Sequence, residues 1–119
     1  MDILFWILLI LVIILFASKM TPAKGVNHIS VKELQEMLKD TNKQFIDVRT
    51  PGEYRQYHIQ EFKNIPLQQL KKQLLQLNPE KETIVICQSG MRSLSATKLL
   101  KKFGFEHIYN VKNGMNAWH

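Results

Sequence analysis

Fifteen consecutive residues, Ile3 to Ala17, are apolar without a break. A helix over this run is greasy on every side, so it cannot serve as an amphipathic element of a globular fold. Beyond Met20 the composition turns ordinary. The chain of 119 residues therefore divides into one apolar segment and one domain of common size. Three readings compete for the segment: secretory signal, membrane anchor and buried core helix. Asp2 stands where a signal peptide carries Lys or Arg, and Ala17-Ser18-Lys19-Met20 makes a poor cleavage site. With no cysteine following, lipoprotein processing is excluded as well. The expectation is one transmembrane helix over residues 1–20, held in a lipid bilayer, and a linker over 21–26. From Met1 to Ser18 such a helix reaches about 27 Å at ~1.5 Å per residue, slightly short of a hydrocarbon core of ~30 Å.

Lys19, Lys24 and Lys32 follow the segment, whereas only Asp2 and the terminal amine precede it. The positive-inside bias then orients the domain toward the cytoplasm, as a single-pass protein of the inner membrane. A lone thiol, Cys87, agrees with a reducing compartment and rules out a disulfide scaffold. The net charge of +6 belongs entirely to the domain, because Asp2 and Lys19 cancel. Its lysines are scattered, with short clusters at Lys71-Lys72 and Lys98/Lys101/Lys102, and no aromatic residues are interleaved to stack on bases. Nucleic acid is not expected as a partner; a membrane face and small anions are.

From residue 27 on, strand-like and helix-like segments alternate, the pattern of a parallel sheet with helices on its faces. Ser30-Val31-Lys32-Glu33 is a capping box that opens a helix with Val31, Leu34, Met37 and Leu38 on one face. Residues 44–49 read as a strand cut off by Thr50-Pro51-Gly52, and Asn64-Ile65 as a short extended piece. Leu67, Leu70 and Leu74 mark a second helix, closed by Asn78-Pro79. Thr83 to Cys87 is a β-branched run suited to a central strand buried on both faces. After Ser89-Gly90 a helix continues to Gly104, a C-cap; His107–Val111 is the last strand and Gly114–Trp118 a closing turn.

Cys87 ends the best strand and precedes a loop that opens a helix, the place where ligands bind in open parallel sheets. Backbone N–H groups of a tight Gly-containing loop, together with a helix N-terminus, favour an anion there, a thiolate included. The loop is Cys87-Gln88-Ser89-Gly90-Met91-Arg92-Ser93. A lone cysteine most often is just a small buried hydrophobe. Arg92, however, sits in the first turn of a helix, where the dipole disfavours a cation. A misplaced cation beside a Gly loop and a thiol points to an anion held between them.

At this point the chain resembles the rhodanese-like domain family over residues 26–118. The likeness rests on Ile46-Asp47-Val48-Arg49-Thr50-Pro51-Gly52-Glu53-Tyr54, on His58-Ile59 with Asn64-Ile65-Pro66-Leu67, on the Cys87–Ser93 loop and on Asn113-Gly114-Met115-Asn116-Ala117-Trp118. It extends to the bacterial single-domain rhodaneses that carry an N-terminal membrane anchor. Tyr57, Glu61 and Phe62 depart from the family pattern, which has Gly before the His and Gly-Ala further on. The resemblance implies a three-layer α/β fold over 27–119, with a mostly parallel central sheet and helices on both faces. It also implies sulfurtransfer through a Cys87 persulfide, from a small anionic sulfur donor (thiosulfate or a persulfide) to a thiol or cyanide, with no metal or organic cofactor. Cys87 and Arg92 are the implied catalytic residues. Gln88, Ser89, Gly90, Met91 and Ser93 are the implied substrate-binding ones, with Met91, Gln88 and Ser89 at the pocket mouth and the amides of 88–92 around the sulfur. Asp47 and Arg49 form a structural pair. Two alternatives stay open. One is a Cys-loop-Arg phosphatase, although that class has five residues between Cys and Arg and here there are four. The other is a non-catalytic, membrane-tethered binding module.

Overall fold

The computed structural model describes residues 2–20 and 25–118, the side chains of 18–20 excepted. Five strands form one sheet: β1 (Val26–Ile29), β2 (Gln44–Asp47), β3 (Lys63–Asn64), β4 (Thr83–Ile86) and β5 (Ile108–Val111). The order is β1-β5-β4-β2-β3 and every pairing is parallel. β4 is central, and its residues are buried throughout. A strand covered on both faces has no polar side to present, which is why Thr83–Ile86 shows no alternation.

The helices are α1 (Ile3–Met20), α2 (Val31–Met37), α3 (Pro51–Gln56), α4 (Leu67–Leu70) and α5 (Met91–Lys102). Two cores lie on opposite faces of the sheet. One joins Ile46, Val48, Val85, Cys87 and Ile108 to Leu70 of α4 and to Ala96 and Leu100 of α5. The other joins Phe45, Ile84, Ile86 and Val111 to Leu34 of α2 and to Phe62 and Met115. Strand alternation divides them: Ile84 and Ile86 face α2, whereas Val85 and Cys87 face α5.

Both short helices on the chain's first half begin with a reciprocal cap. Ser30 Oγ accepts from Glu33 N–H at 3.1 Å, and Glu33 Oε1 accepts from Ser30 N–H at 3.2 Å. Thr50 and Glu53 repeat the arrangement at the start of α3, with Pro51 in its first turn.

Several expectations shift. β1 starts at Val26, inside the expected linker; residues 21–24 of that linker, the side chain of Lys19 and His119 lie outside the described residues. The strand expected over 44–49 ends at Asp47, whose carboxylate turns back to bond the Arg49 amide at 3.0 Å. The helix expected from Leu67 is one turn of α4 continued by a 3-10 segment, Lys71–Gln76. Thr50-Pro51-Gly52 not only ends a strand but also opens a helix.

The transmembrane expectation over residues 1–20 is not supported by the structure. Among the described residues no helix is long and apolar enough to cross a membrane. The unbroken apolar part of α1 stops at Ala17, about 22 Å of helix at ~1.5 Å per residue, against ~30 Å of hydrocarbon. Every side chain from Ile3 to Phe16 is exposed, and none enters either core.

Candidate active site

Cys87 leaves the carboxyl end of the central strand, where the last ladder bond, Val48 N–H to Ile86 O at 3.0 Å, fixes its origin. Its side chain is fully buried on the α5 face. The chain then reverses through Ser89 and Gly90 into α5. Gly90 has φ +105°, a conformation that L side chains rarely adopt. That twist turns its N–H back to donate to Cys87 Sγ at 2.9 Å. The thiol in turn faces Ser93 Oγ at 3.4 Å, and Ser93 Oγ donates to Gly90 O at 2.9 Å. A thiol can thus donate to Ser93, and a thiolate can receive the Ser93 proton after one hydroxyl rotation. Of the amides of 88–92 expected around the sulfur, Gly90's is the one that bonds Sγ. α5 has no side-chain cap on its first-turn amides, so its N-terminus keeps donors for an anion.

A second turn, Gly114–Ala117, clamps the loop from outside. Met115 N–H donates to Cys87 O at 2.8 Å and Asn116 N–H to Gln88 O at 2.9 Å. A Cβ on Gly114 would stand 2.0 Å from Cys87 O, so only glycine lets the two backbones pass.

The remaining expected site residues separate into two groups. Ser89, Gly90 and Met91 line an open cavity with His28, Asn110 and Lys112. Gln88 points away from that cavity: its Nε2 donates to Asn116 Oδ1 at 2.7 Å and its Oε1 accepts from Arg49 at 3.2 Å. It braces the loop rather than forming the pocket mouth. Arg49 is itself buried, forked onto Asp47 through Nε and Nη2 (2.8–3.1 Å), and it donates to the Tyr57 carbonyl at 2.7 Å. The exposed Tyr57 thus contributes backbone, not side chain, and Phe62 is a core residue. His58 stacks on Tyr54, ring centroids 3.8 Å apart, with Nδ1 on the Tyr54 carbonyl.

Arg92 stands where expected along the chain, but its guanidinium does not close over the thiol. It makes a two-pronged pair with Glu53, Nη1 to Oε1 at 2.7 Å and Nη2 to Oε2 at 3.0 Å. The Arg92 guanidinium, with help from Thr50, holds the Glu53 carboxyl down at about 2. Glu53 raises the Arg92 pKa in return. Glu53 stands in the Ile46–Tyr54 motif without a role of its own there, and the structure pairs it with Arg92. Its signal was the Thr50-x-x-Glu53 box, which fixes the carboxylate where α5 can reach it. Among the described residues no cluster of His, Cys, Asp and Glu could hold a metal ion.

A family model of the rhodanese-like domain matches residues 30–119, which span the sheet from β2 to β5, the Cys87 loop and the Gly114 turn. The chain belongs to the rhodanese-like domain family. Among curated relatives, the uncharacterized protein YqhL of Bacillus subtilis is 41% identical over 63% of this chain and 60% of its own length. The thiosulfate sulfurtransferase GlpE of Shewanella oneidensis is 28% identical over 77% of this chain and 91% of its own. The solved human single-domain sulfurtransferase TSTD1 is 27% identical, covers 79% of this chain and 96% of its own, and superposes with a TM-score of 0.71. The chain spans 34 to 60% of the first curated relatives it matches. Several of these relatives carry the name sulfurtransferase, which supports a sulfurtransferase-type family.

Proposed function

We propose that this chain is a membrane-attached sulfurtransferase that carries sulfane sulfur as a persulfide on Cys87. The observation that supports it best is the Cys87 Sγ held by the Gly90 amide at 2.9 Å in front of an uncapped helix N-terminus. The Cys87 thiolate attacks the outer sulfur of thiosulfate, the S–S bond breaks, and sulfite leaves with the bonding pair. The resulting Cys87–S–S⁻ is stabilised by donors already in place, which need no reorganisation as charge moves outward. A second nucleophile, cyanide or a thiolate, takes the outer sulfur and returns the Cys87 thiolate, a two-step exchange. No resolving cysteine exists in the chain, so the persulfide waits for an external acceptor.

Attachment to the inner membrane, with the domain on the cytoplasmic side, is part of the same reading. Its support is the run of exposed Ile, Leu, Val and Phe side chains on α1. Inserting such residues is favourable by about 0.3–0.6 kcal/mol each at a helix centre.

Incubating the protein with thiosulfate should add one sulfur atom, about 32 mass units, to a single peptide containing Cys87, and cyanide should remove it as thiocyanate. Cys87→Ser should abolish both, since a hydroxyl is hardly ionised at neutral pH. An intact mass that never shifts with thiosulfate or glutathione persulfide would overturn the reading and leave a binding module.

A further inference from the structure

Beside the Cys87 loop lies an open cavity of about 380 Å³, within the range of small-molecule sites, roughly 300–1,000 Å³. Ser89, Gly90 and Met91 of the Cys87 loop line it, and Gly90 is the residue whose N–H bonds Cys87 Sγ. Its floor is the His28–Asn110 pair, which stand opposite each other in the β1–β5 ladder. Asn110 also pairs with Val85 across β4 and β5, so its side chain lies on the same sheet face as Cys87, two residues along. Lys112 lies at the exposed rim.

Asn110 is the unusual member. It is buried, 4% exposed, and its Nδ2 donates to His28 Nδ1 at 3.2 Å. Its Oδ1 has no hydrogen-bond partner among the described residues. A buried acceptor left unmade costs on the order of 1–3 kcal/mol, and a ligand with an N–H donor removes that cost. Lys112, with no ion-pair partner among the described residues, supplies a charge for a carboxylate. Exposed Met91 and half-buried Leu94 give the wall between them an apolar, polarizable character that suits sulfur.

We propose that this cavity seats the sulfur acceptor, and that the acceptor is an amino-acid-type thiol bearing both an ammonium or amide N–H and a carboxylate. The proposal rests on the sulfurtransferase reading. Asn110 Oδ1 receives the N–H, Lys112 receives the carboxylate, and the ligand sulfur faces Gly90. Thiosulfate offers acceptors alone, so Asn110 discriminates against it in this cavity. In the transfer, the acceptor thiol loses its proton to solvent and its thiolate attacks the outer sulfur of Cys87–S–S⁻. The S–S bond breaks toward Cys87, which leaves as thiolate, and the acceptor departs as a persulfide.

The test is a crossed set of acceptors and variants on the full chain, with thiosulfate as donor. Cysteine carries both groups, 3-mercaptopropionate lacks the N–H, and cysteamine lacks the carboxylate. Asn110→Leu should lower kcat/KM about tenfold with cysteine and cysteamine and leave 3-mercaptopropionate unchanged. Lys112→Gln, at an exposed position that does not threaten folding, should lower it severalfold with cysteine and 3-mercaptopropionate and leave cysteamine unchanged. Persulfide loading from thiosulfate, read by intact mass, should be the same in both variants and the parent. Binding of the unreactive S-methylcysteine, followed by calorimetry, gives a readout independent of sulfur transfer. It should weaken about tenfold in Asn110→Leu. Equal losses for all three acceptors, no loss for any, or S-methylcysteine affinity that is undetectable or unmoved by Asn110→Leu overturns the acceptor site. Failure of persulfide loading in the parent overturns the sulfurtransferase reading instead, and S-methylcysteine binding then still decides what the cavity holds.

Discussion

Glu53 sets how much positive charge the Cys87 loop presents. Its carboxylate neutralises Arg92 through two hydrogen bonds at 2.7 and 3.0 Å. The cation nearest the loop along the chain therefore reaches an anionic donor already compensated. Glu53→Gln should raise the local positive potential and lower the thiosulfate KM severalfold, with the gain shrinking as ionic strength rises. Arg92→Ala should raise KM in the same assay. Steady-state kinetics at low and high salt checks both, and an unchanged KM in Glu53→Gln would mean that Arg92 keeps no influence on the donor. The pair also has a pH signature. Glu53 carries a pKa of about 2 when folded against 4.5 for a free carboxyl, chiefly through Arg92. Its contribution to stability is full above 4.5 and is lost as pH falls from there toward 2. Thermal unfolding should show that loss in the parent over that window, and Glu53→Gln should lack that part of it.

At the scale of elements, two glycines hold the loop for different reasons, and their alanine variants should separate them. Gly90→Ala meets ordinary contact at 3.5 Å from Asn113 N but must keep φ at +105°. That backbone strain costs about 1–2 kcal/mol. Gly114→Ala would drive a Cβ to 2.0 Å from Cys87 O, which forces backbone apart and costs ~3 kcal/mol or more. Melting curves should place Gly114→Ala well below Gly90→Ala, by about 4–8 °C for each kcal/mol between them. Much of this layer is legible in sequence. The Ser30 box, the β-branched Thr83–Ile86 run and the Gly90 turn each announce their own geometry through local residues. β1 escaped because Val-Asn-His-Ile has too few residues to show a period and owes its strand form to parallel pairing with β5. The Arg92–Glu53 pair escaped because partners 39 positions apart leave no local trace. Asn110 escaped for a related reason, since a missing hydrogen bond is visible only once every neighbour is placed.

For the whole molecule, the open balance is between α1 and water. The domain buries its apolar residues in two cores, yet α1 leaves every large side chain from Ile3 to Phe16 exposed, Ile3 at 76%. Such a patch far exceeds the few hundred Å² that soluble monomers tolerate. Insertion of the thirteen Leu, Ile, Val and Phe residues in this run is worth roughly −4 to −8 kcal/mol at their per-residue values. In the proposed attachment this term is what holds α1 to a bilayer. Its apolar length of about 22 Å falls short of ~30 Å, so a span needs local thinning of the bilayer or snorkelling of the flanking Lys19. In the proposed attachment the positive-inside bias sets the direction, because Lys19, Lys24 and Lys32 all follow the run. The intact chain should sediment with inner membranes and resist carbonate extraction. Cys87 should react with a membrane-impermeant thiol reagent only after the inner membrane is opened. Placing two lysines in the run, at Leu9 and Val12, should release the chain to the soluble fraction, each lysine costing about 2.5–3.5 kcal/mol at the helix centre. A parent chain that is soluble from the outset, or exported after cleavage near Lys19, would refute membrane attachment and leave the Cys87 chemistry untouched.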